Sequence, residues 1–153
     1  MKLTIQLIVI LLLSFTTRVA GEEITNWSGI VVHHSDSPGW TTVSNINAWH
    51  IERDFDEIGY HYVIYTNGVV KTGRSIKKHG AHAKATKWKK NRNRTHIGIC
   101  LVGTDSFTEA QHESLTNAIR VLSHKFPIKI IEPHHKECPG HGVDVKKLNK
   151  ILK

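Results

Sequence analysis

Two pairs of adjacent histidines, about a hundred residues apart, are the residues of this sequence best suited to chemistry. Each pair follows a short apolar run, and the later pair is succeeded after two further residues by a cysteine. The five residues are His33, His34, His134, His135 and Cys138. Imidazole and thiolate are the ligands that zinc prefers in proteins. A fold that brings the ends of the two apolar runs together would therefore turn both clusters into one metal site.

The segments around these residues predict strands that alternate with helices. Runs of β-branched and apolar residues predict strands over 30–33, 61–65, 69–72, 96–102 and 128–131. The second and third of these form a predicted hairpin, because Asn67-Gly68 lies between them. Helices are predicted from Thr41 or Thr42 onward, from the Thr108–Gln111 capping box to Lys125, and over 143–152. The order predicts a single α/β domain with a central mixed β-sheet flanked by helices.

The first 21 residues have the pattern of a secretory signal peptide. Lys2 precedes the apolar stretch 7–13, and small residues stand at the −3 and −1 positions before Glu22. The apolar stretch is too short to cross a bilayer comfortably, so we expect cleavage rather than a membrane anchor. We therefore expect residues 22–153 to form the secreted protein, which is periplasmic in a Gram-negative bacterium and extracellular otherwise.

The charge of the chain favours anionic partners. The 153 residues include 21 lysines and arginines against 13 aspartates and glutamates, a net charge of +8. Without residues 1–21, which contain Lys2, Arg18 and no acidic residue, 19 cations remain and the net charge is +6. For an exported protein this charge favours acidic cell-wall polymers over nucleic acid, although it also serves solubility. The basic segment 84–94 is interpreted either as a groove rim that attracts such polymers or as a solvated loop.

The sequence contains two cysteines, Cys100 and Cys138. In an exported protein a pair of cysteines is compatible with one disulfide. The histidines beside Cys138 favour a role as a metal ligand instead.

An ordered series of short motifs extends from about residue 30 to residue 145. Its members are His33-His34-Ser35, Trp49-His50, 59–64, Asn67-Gly68, Gly73-Arg74, Ala81-His82-Ala83, 97–103, 107–111, His134-His135 and 136–139. The series resembles the type 2 N-acetylmuramoyl-L-alanine amidases, a family that includes bacteriophage lysozyme-type amidases and animal peptidoglycan-recognition proteins. The resemblance implies the fold of that family and one bound zinc ion per chain.

The resemblance assigns the zinc ligands to His33, His134 and Cys138. Three protein ligands leave the fourth tetrahedral position to water, as in catalytic zinc sites. Zinc lowers the pKa of such a water from about 15.7 to near 7. The separation between His134 and Cys138 is shorter than is usual in the family, which leaves His135 as an alternative ligand.

The resemblance also assigns catalytic and substrate-binding residues. Tyr60 of the Gly-Tyr-His motif and Lys136 of the Lys-X-Cys motif are expected to stabilise the oxyanion of the reaction; core packing and a free surface lysine are the alternatives. His82 and Arg74 match positions near the family's substrate groove. His82 is expected to contact the peptide stem, and Arg74 either pairs with a carboxylate or ties down the sheet.

The function implied by the resemblance is zinc-dependent hydrolysis of the amide between N-acetylmuramic acid and L-alanine in peptidoglycan or muropeptides. We expect a monomer without an organic cofactor, without nucleic acid and without stable membrane insertion. Its roles would include cell-wall degradation and attack on bacteria. A non-catalytic peptidoglycan-recognition module is one alternative. A basic antimicrobial protein is the other, although no amphipathic basic helix supports it.

Overall fold

A computed structural model describes residues 26–87 and 89–153. The predicted signal peptide, residues 1–21, lies outside the described residues. In chain order the elements are β1 (Gly29–His34), α1 (Val43–Ile51), β2 (Tyr62–Ile64), β3 (Val70–Thr72), β4 (His96–Leu101), α2 (Glu109–Lys125), β5 (Ile130–Pro133) and α3 (Val145–Asn149), with a final 3-10 turn over Lys150–Leu152. None of the described helices is long and apolar enough to span a membrane.

The five strands form one sheet in the order β3-β2-β4-β1-β5. Strand β1 pairs in parallel with both β4 and β5, and β2 pairs in parallel with β4. Only β3 runs antiparallel to its neighbour, as expected for the second strand of a hairpin. The prediction of a mixed sheet is confirmed. Because four strands share one direction, their carboxyl ends meet at the same edge of the sheet.

Helices and loops cover both faces of the sheet, which explains why the central strands are almost entirely apolar. On one face, side chains of β1 and β4 pack against α2 and the final turns of the chain; this cluster includes Ile30, Val32, Ile97, Ile99, Leu101, Leu115 and Ile119. On the other face, the cluster is smaller and consists of Ile46 of α1 with Ile58, Val63, Cys100 and Val102. Alternation along β1 directs His33 toward this second face, opposite to Val32.

Both long helices begin at the residues that the sequence indicates. Thr42, rather than Thr41, caps α1 and forms a capping box with Asn45. Thr108 and Gln111 form the predicted capping box of α2. The amide of Gln111 also donates hydrogen bonds to the carbonyl oxygens at positions 64 and 102, at 3.2 and 2.9 Å, and so fixes the start of α2 on the sheet.

Two predicted elements near the carboxyl terminus have other bounds. The predicted strand over 128–131 lies at Ile130–Pro133, because the register of β1 pairs Gly29 with Ile130. The proline is accommodated since β5 is an edge strand and has a partner on one side only. The predicted helix over 143–152 is shorter: Asp144 caps α3, which ends at Asn149.

Candidate active site

The three predicted zinc ligands come together at the carboxyl edge of the sheet. His33 is the fifth residue of β1, and His134 directly follows β5, the parallel neighbour of β1. The backbone N–H of His134 donates to the carbonyl oxygen of Val32 at 3.1 Å, which continues the pairing beyond the strand. One donor atom each from His33, His134 and Cys138 lies within 4.8 Å of the others.

A tight turn over residues 135–138 brings Cys138 back to the histidines in spite of the short spacing. The backbone N–H of His135 donates to the oxygen of Cys138 at 3.0 Å, and the reverse bond measures 3.2 Å. The sulfur of Cys138 then lies 4.0 Å from Nδ1 of His33 and accepts a hydrogen bond from the backbone N–H of His34 at 3.4 Å. Both cysteines are free, so the alternative of a Cys100–Cys138 disulfide is not realised.

His134, and not His135, belongs to this group of three. The His135 side chain is exposed and its Nδ1 lies 3.4 Å from a carboxylate oxygen of Glu137, itself an exposed residue. The four-residue separation between His134 and Cys138 is therefore closed by the backbone of His135, while the His135 side chain stays outside the group of three.

The electrostatics of the three residues suit a metal with nitrogen and sulfur ligands. Burial, together with neighbouring histidines and Arg92, holds the pKa of His33 well below its usual range. Burial and nearby cationic groups lower the pKa of His134 to about 4. Both imidazoles are therefore neutral at pH 7 and keep a lone pair for a metal. Burial raises the pKa of the Cys138 thiol to about 11, so a metal would have to displace its proton. Two neutral imidazoles and a thiol fit zinc.

Tyr60 lies beside the three residues, in the loop that leads into β2. Its ring centre is 4.9 Å from that of His33 and 5.3 Å from that of His50. The loop is held because the N–H of Gly59 donates to Nδ1 of His50 at 2.9 Å. Burial, and then the neighbouring cysteine thiols, raise the pKa of the Tyr60 phenol well above its usual value. The phenol is therefore a hydrogen-bond donor at neutral pH.

Lys136 occupies the turn between the two late ligands and its side chain is exposed. Among the described residues, no hydrogen bond or ion pair joins it to His33, His134 or Cys138. It lines a groove between the end of β5 and α3. Its catalytic role stays a prediction.

Arg74 ties a loop to the sheet. Its guanidinium binds the carboxylate of Asp56 with three contacts of 3.1 Å and donates to the carbonyl oxygens of Ile58 and His79. Only 8% of the residue is exposed. Of the two alternatives for Arg74, the structure favours anchoring over a contact with a substrate carboxylate.

His82 contacts the ring nitrogen of His33 that is not the one near Cys138. Its Nδ1 is 2.9 Å from Nε2 of His33, and its Nε2 is 3.2 Å from the carbonyl oxygen of His96. Burial lowers the pKa of His82 to about 3. Both ring nitrogens therefore have protein partners, and the contact with the peptide stem stays a prediction.

Two cations of the basic segment contact the backbone of the late histidine, a role that the sequence did not predict. Lys89 donates to the carbonyl oxygens of Pro133 and His134 at 3.2 and 3.1 Å. Arg92 donates to the same two oxygens at 3.1 and 2.9 Å and also contacts Glu132. The carbonyl groups at the end of an edge strand need hydrogen-bond donors. The segment 84–94 contains no local motif that predicts that its side chains are these donors.

Comparison with known proteins agrees with this geometry. The family model described as N-acetylmuramoyl-L-alanine amidase matches residues 23–141. The endolysin of Escherichia phage T7 is 33% identical over 132 residues, which cover 80% of this chain and 83% of the endolysin.

Solved structures extend the similarity to the fold. The N-acetylmuramoyl-L-alanine amidase LysC from Clostridium intestinale URNW superposes with a TM-score of 0.74 at 28% identity, covering 83% of this chain and 85% of LysC. Bumblebee PGRP-SA superposes with a TM-score of 0.69 at 19% identity over 82% of each chain, a similarity of fold alone. The resemblance and the predicted enzyme class are thereby confirmed: the chain belongs to the N-acetylmuramoyl-L-alanine amidase family.

Proposed function

We propose that this protein is an exported, zinc-dependent amidase that cleaves the bond between N-acetylmuramic acid and L-alanine in peptidoglycan. The observation that carries the proposal is the convergence of His33, His134 and Cys138 within 4.8 Å at the sheet edge of a chain of this family. Neither the core nor the surface needs three such groups in contact, whereas a zinc site does.

The ligands proposed for one zinc ion per chain are His33, His134 and Cys138. Zinc supplies Lewis-acid chemistry when it is bound, since it polarises a carbonyl oxygen and makes water more acidic. The protein keeps both histidines neutral by burying them, so that no proton competes for their lone pairs at pH 7. The hydrogen bond from the N–H of His34 partly offsets the cost of a thiolate at Cys138.

Tyr60 is proposed to stabilise the oxyanion that forms at the scissile carbonyl. Its phenol stays protonated because its pKa is raised by burial, and its ring lies against His33. A donor of this kind contributes on the order of 10²–10³ in rate. Lys136 is proposed as a second cationic donor, which requires its exposed side chain to turn toward the ligands when substrate is present.

Peptidoglycan or one of its muropeptides is the proposed substrate. The net positive charge of residues 22–153 favours an anionic wall. A groove lined in part by His34 and His135, the chain neighbours of two proposed ligands, gives a surface on which a glycan or peptide strand can lie. Export through the signal peptide would place a monomeric enzyme where peptidoglycan is found, and antibacterial action would follow from cleavage of a foreign wall.

Mass spectrometry of digested peptidoglycan, combined with zinc analysis, tests the proposal. The wild type is expected to bind one zinc per chain and to release peptides that begin with L-alanine. His134→Ala should lose both properties, and Tyr60→Phe should keep the zinc while losing about 10²-fold in rate. His124→Ala, a change at an exposed histidine of α2, is the matched control and should behave as the wild type.

Three results would contradict the proposal in different ways. Stoichiometric zinc without release of L-alanine peptides would identify a non-catalytic recognition module. Killing of bacteria that survives a chelator and the Cys138→Ala change would identify a basic antimicrobial protein. Release of peptides by a protein free of zinc would support the amidase activity and contradict its dependence on zinc.

A further inference from the structure

We propose that His82 is a positioning residue that holds His33 in the tautomer needed for metal binding. In this tautomer Nε2 of His33 carries the proton, and Nδ1 presents its lone pair to Cys138. The inference rests on the metal site of the proposed function, but it concerns a residue outside the ligand set and assigns it a role different from substrate binding.

The tautomers follow from a chain of three groups. A backbone carbonyl only accepts hydrogen bonds, so Nε2 of His82, at 3.2 Å from the oxygen of His96, must be its donor. The ring is buried and no carboxylate among the described residues is hydrogen-bonded to it, so the neutral form applies and Nδ1 is an acceptor. The proton of the 2.9 Å contact therefore belongs to Nε2 of His33.

The other nitrogen of His33 is the one that faces the remaining ligands. Its Nδ1 lies 4.0 Å from the sulfur of Cys138. A metal-bound histidine in proteins almost always donates its second ring N–H to an acceptor, which fixes the ring and makes the ligand more basic. His82 supplies this acceptor where many sites use a carboxylate.

The surroundings of His82 are built to hold its ring in one place. A β-carbon added to Gly98 would lie 2.6 Å from Cδ2 of the ring, and one added to Gly80 would also overlap it. Oδ1 of Asn93 accepts hydrogen bonds from the backbone N–H groups of His82 and Ala83 at 2.8 and 2.6 Å, which fixes the backbone that carries the ring. Two glycines and an asparagine thus form a slot for an imidazole whose two nitrogens are both used inside the protein.

Two substitutions of His82 distinguish its role as a hydrogen-bond acceptor from the effect of its side-chain volume. In His82→Asn the side-chain oxygen occupies the place of Nδ1 and still accepts from His33. In His82→Leu the volume is retained and the acceptor is lost. His79→Leu, in the same loop but exposed, is the control. Zinc affinity is measured by competition with a chelator, and thermal unfolding of the zinc-free proteins reports on folding.

We expect the zinc dissociation constant to rise about 10–100-fold in His82→Leu, which is the usual cost of losing a partner behind a ligand. His82→Asn should stay close to the wild type, and His79→Leu should match it. In zinc-loaded enzyme a positioning role leaves KM for muropeptide unchanged. A rise in KM with unchanged zinc affinity would instead make His82 a substrate-binding residue and overturn the inference.

Nitrogen NMR of the zinc-free wild type tests the tautomer directly. The expected spectrum shows His33 protonated at Nε2 and His82 protonated at Nε2. Protonation of His33 at Nδ1 would overturn the inference even if the enzyme proves to be a zinc amidase. If the wild type binds no zinc, the proposed function fails while the tautomer measurement still decides this inference.

Discussion

The two histidines of the candidate metal site are held by different parts of the molecule. His33 lies inside a strand that is paired on both sides, is 1% exposed and contacts the buried ring of His82. His134 lies one residue beyond an edge strand and is partly exposed, and its backbone is held by Lys89 and Arg92 from a long loop.

The candidate site therefore has two halves. His33 forms the core half, and His134 with Cys138 forms the attached half. Folding of the sheet already places His33, because this residue lies within a strand that is paired on both sides. The positions of His134 and Cys138 depend instead on a turn and on the contacts of Lys89 and Arg92, which lie outside both core clusters. Substitutions in the two halves should therefore affect stability and metal binding in different proportions.

The largest difference is expected between His33→Ala and His134→Ala. Both should abolish zinc binding and activity. Only His33→Ala should also lower the free energy of unfolding of the zinc-free protein, by about 3 kcal/mol, because it leaves a cavity and removes the donor to His82. His134→Ala should change it by less than about 1 kcal/mol. Urea unfolding in the presence of a chelator measures both values.

Equal losses of stability in the two variants would contradict the comparison. A small loss in His33→Ala would mean that the core tolerates its absence and that the strand does not depend on the ligand.

The core half should also respond to acid through His61, the buried neighbour of His82. Its Nδ1 accepts the N–H of Gly98 at 2.9 Å and its Nε2 donates to the oxygen of Lys78 at 3.1 Å. Burial lowers its pKa from 6.5 to about 4. The unfolded chain takes up this proton below about pH 6.5, whereas the folded chain does so only near pH 4. His61 therefore stabilises the fold fully above pH 6.5, and this contribution is lost as the pH falls toward 4.

Unfolding free energies of zinc-free wild type and His61→Asn, measured from pH 7.5 to pH 4, check this expectation. The asparagine oxygen can still accept from Gly98 but does not titrate. The difference between the two proteins should change by up to about 1.4 kcal/mol per pH unit between pH 6.5 and 4. Parallel pH profiles would contradict this expectation, because they would show that His61 has the same pKa in the folded and the unfolded protein.

In the attached half, Lys89→Met should weaken zinc binding about tenfold, in the range expected for groups behind a ligand. The methionine keeps the length of the side chain but removes the donor to the carbonyl oxygens of Pro133 and His134. Lys90→Met, at an adjacent exposed lysine, is the control and should leave the affinity unchanged. Chelator competition measures all three proteins. Tighter zinc binding in Lys89→Met would mean that its charge repels the metal more than its hydrogen bonds help.

The same division describes what the sequence predicts. The strand at β1 and the capping box of α2 can be predicted from the sequence, because apolar periodicity and capping motifs are local signals. The three proposed ligands come from the family resemblance, and the structure brings their side chains together. The bounds of β5 cannot be predicted in this way, because pairing with β1 sets them. Ile128 is apolar and has the pattern of a strand residue, but it packs into the core before the strand begins.

Partners at long range are also beyond the sequence pattern. The segment 84–94 has the composition of a solvated loop, yet Arg92 is buried and contacts residues about forty positions away. Arg74 and His82 were predicted at the substrate groove, while their contacts are with Asp56 and with His33. A motif shows that a residue matches the family at a position, but only the folded chain determines which groups that residue contacts.

The smallest effect is expected for His135→Ala, which decides between the two members of the late pair. The contact of His135 with Glu137 is exposed, and exposed polar contacts of this kind contribute about 0–1 kcal/mol. The turn that returns Cys138 to the site is made by backbone hydrogen bonds, which alanine can also form. Zinc affinity should therefore change by less than about threefold, against complete loss in His134→Ala. If His135→Ala lost zinc while His134→Ala retained it, His135 would be the ligand in place of His134. The second ligand would then come from the turn rather than from the end of the strand.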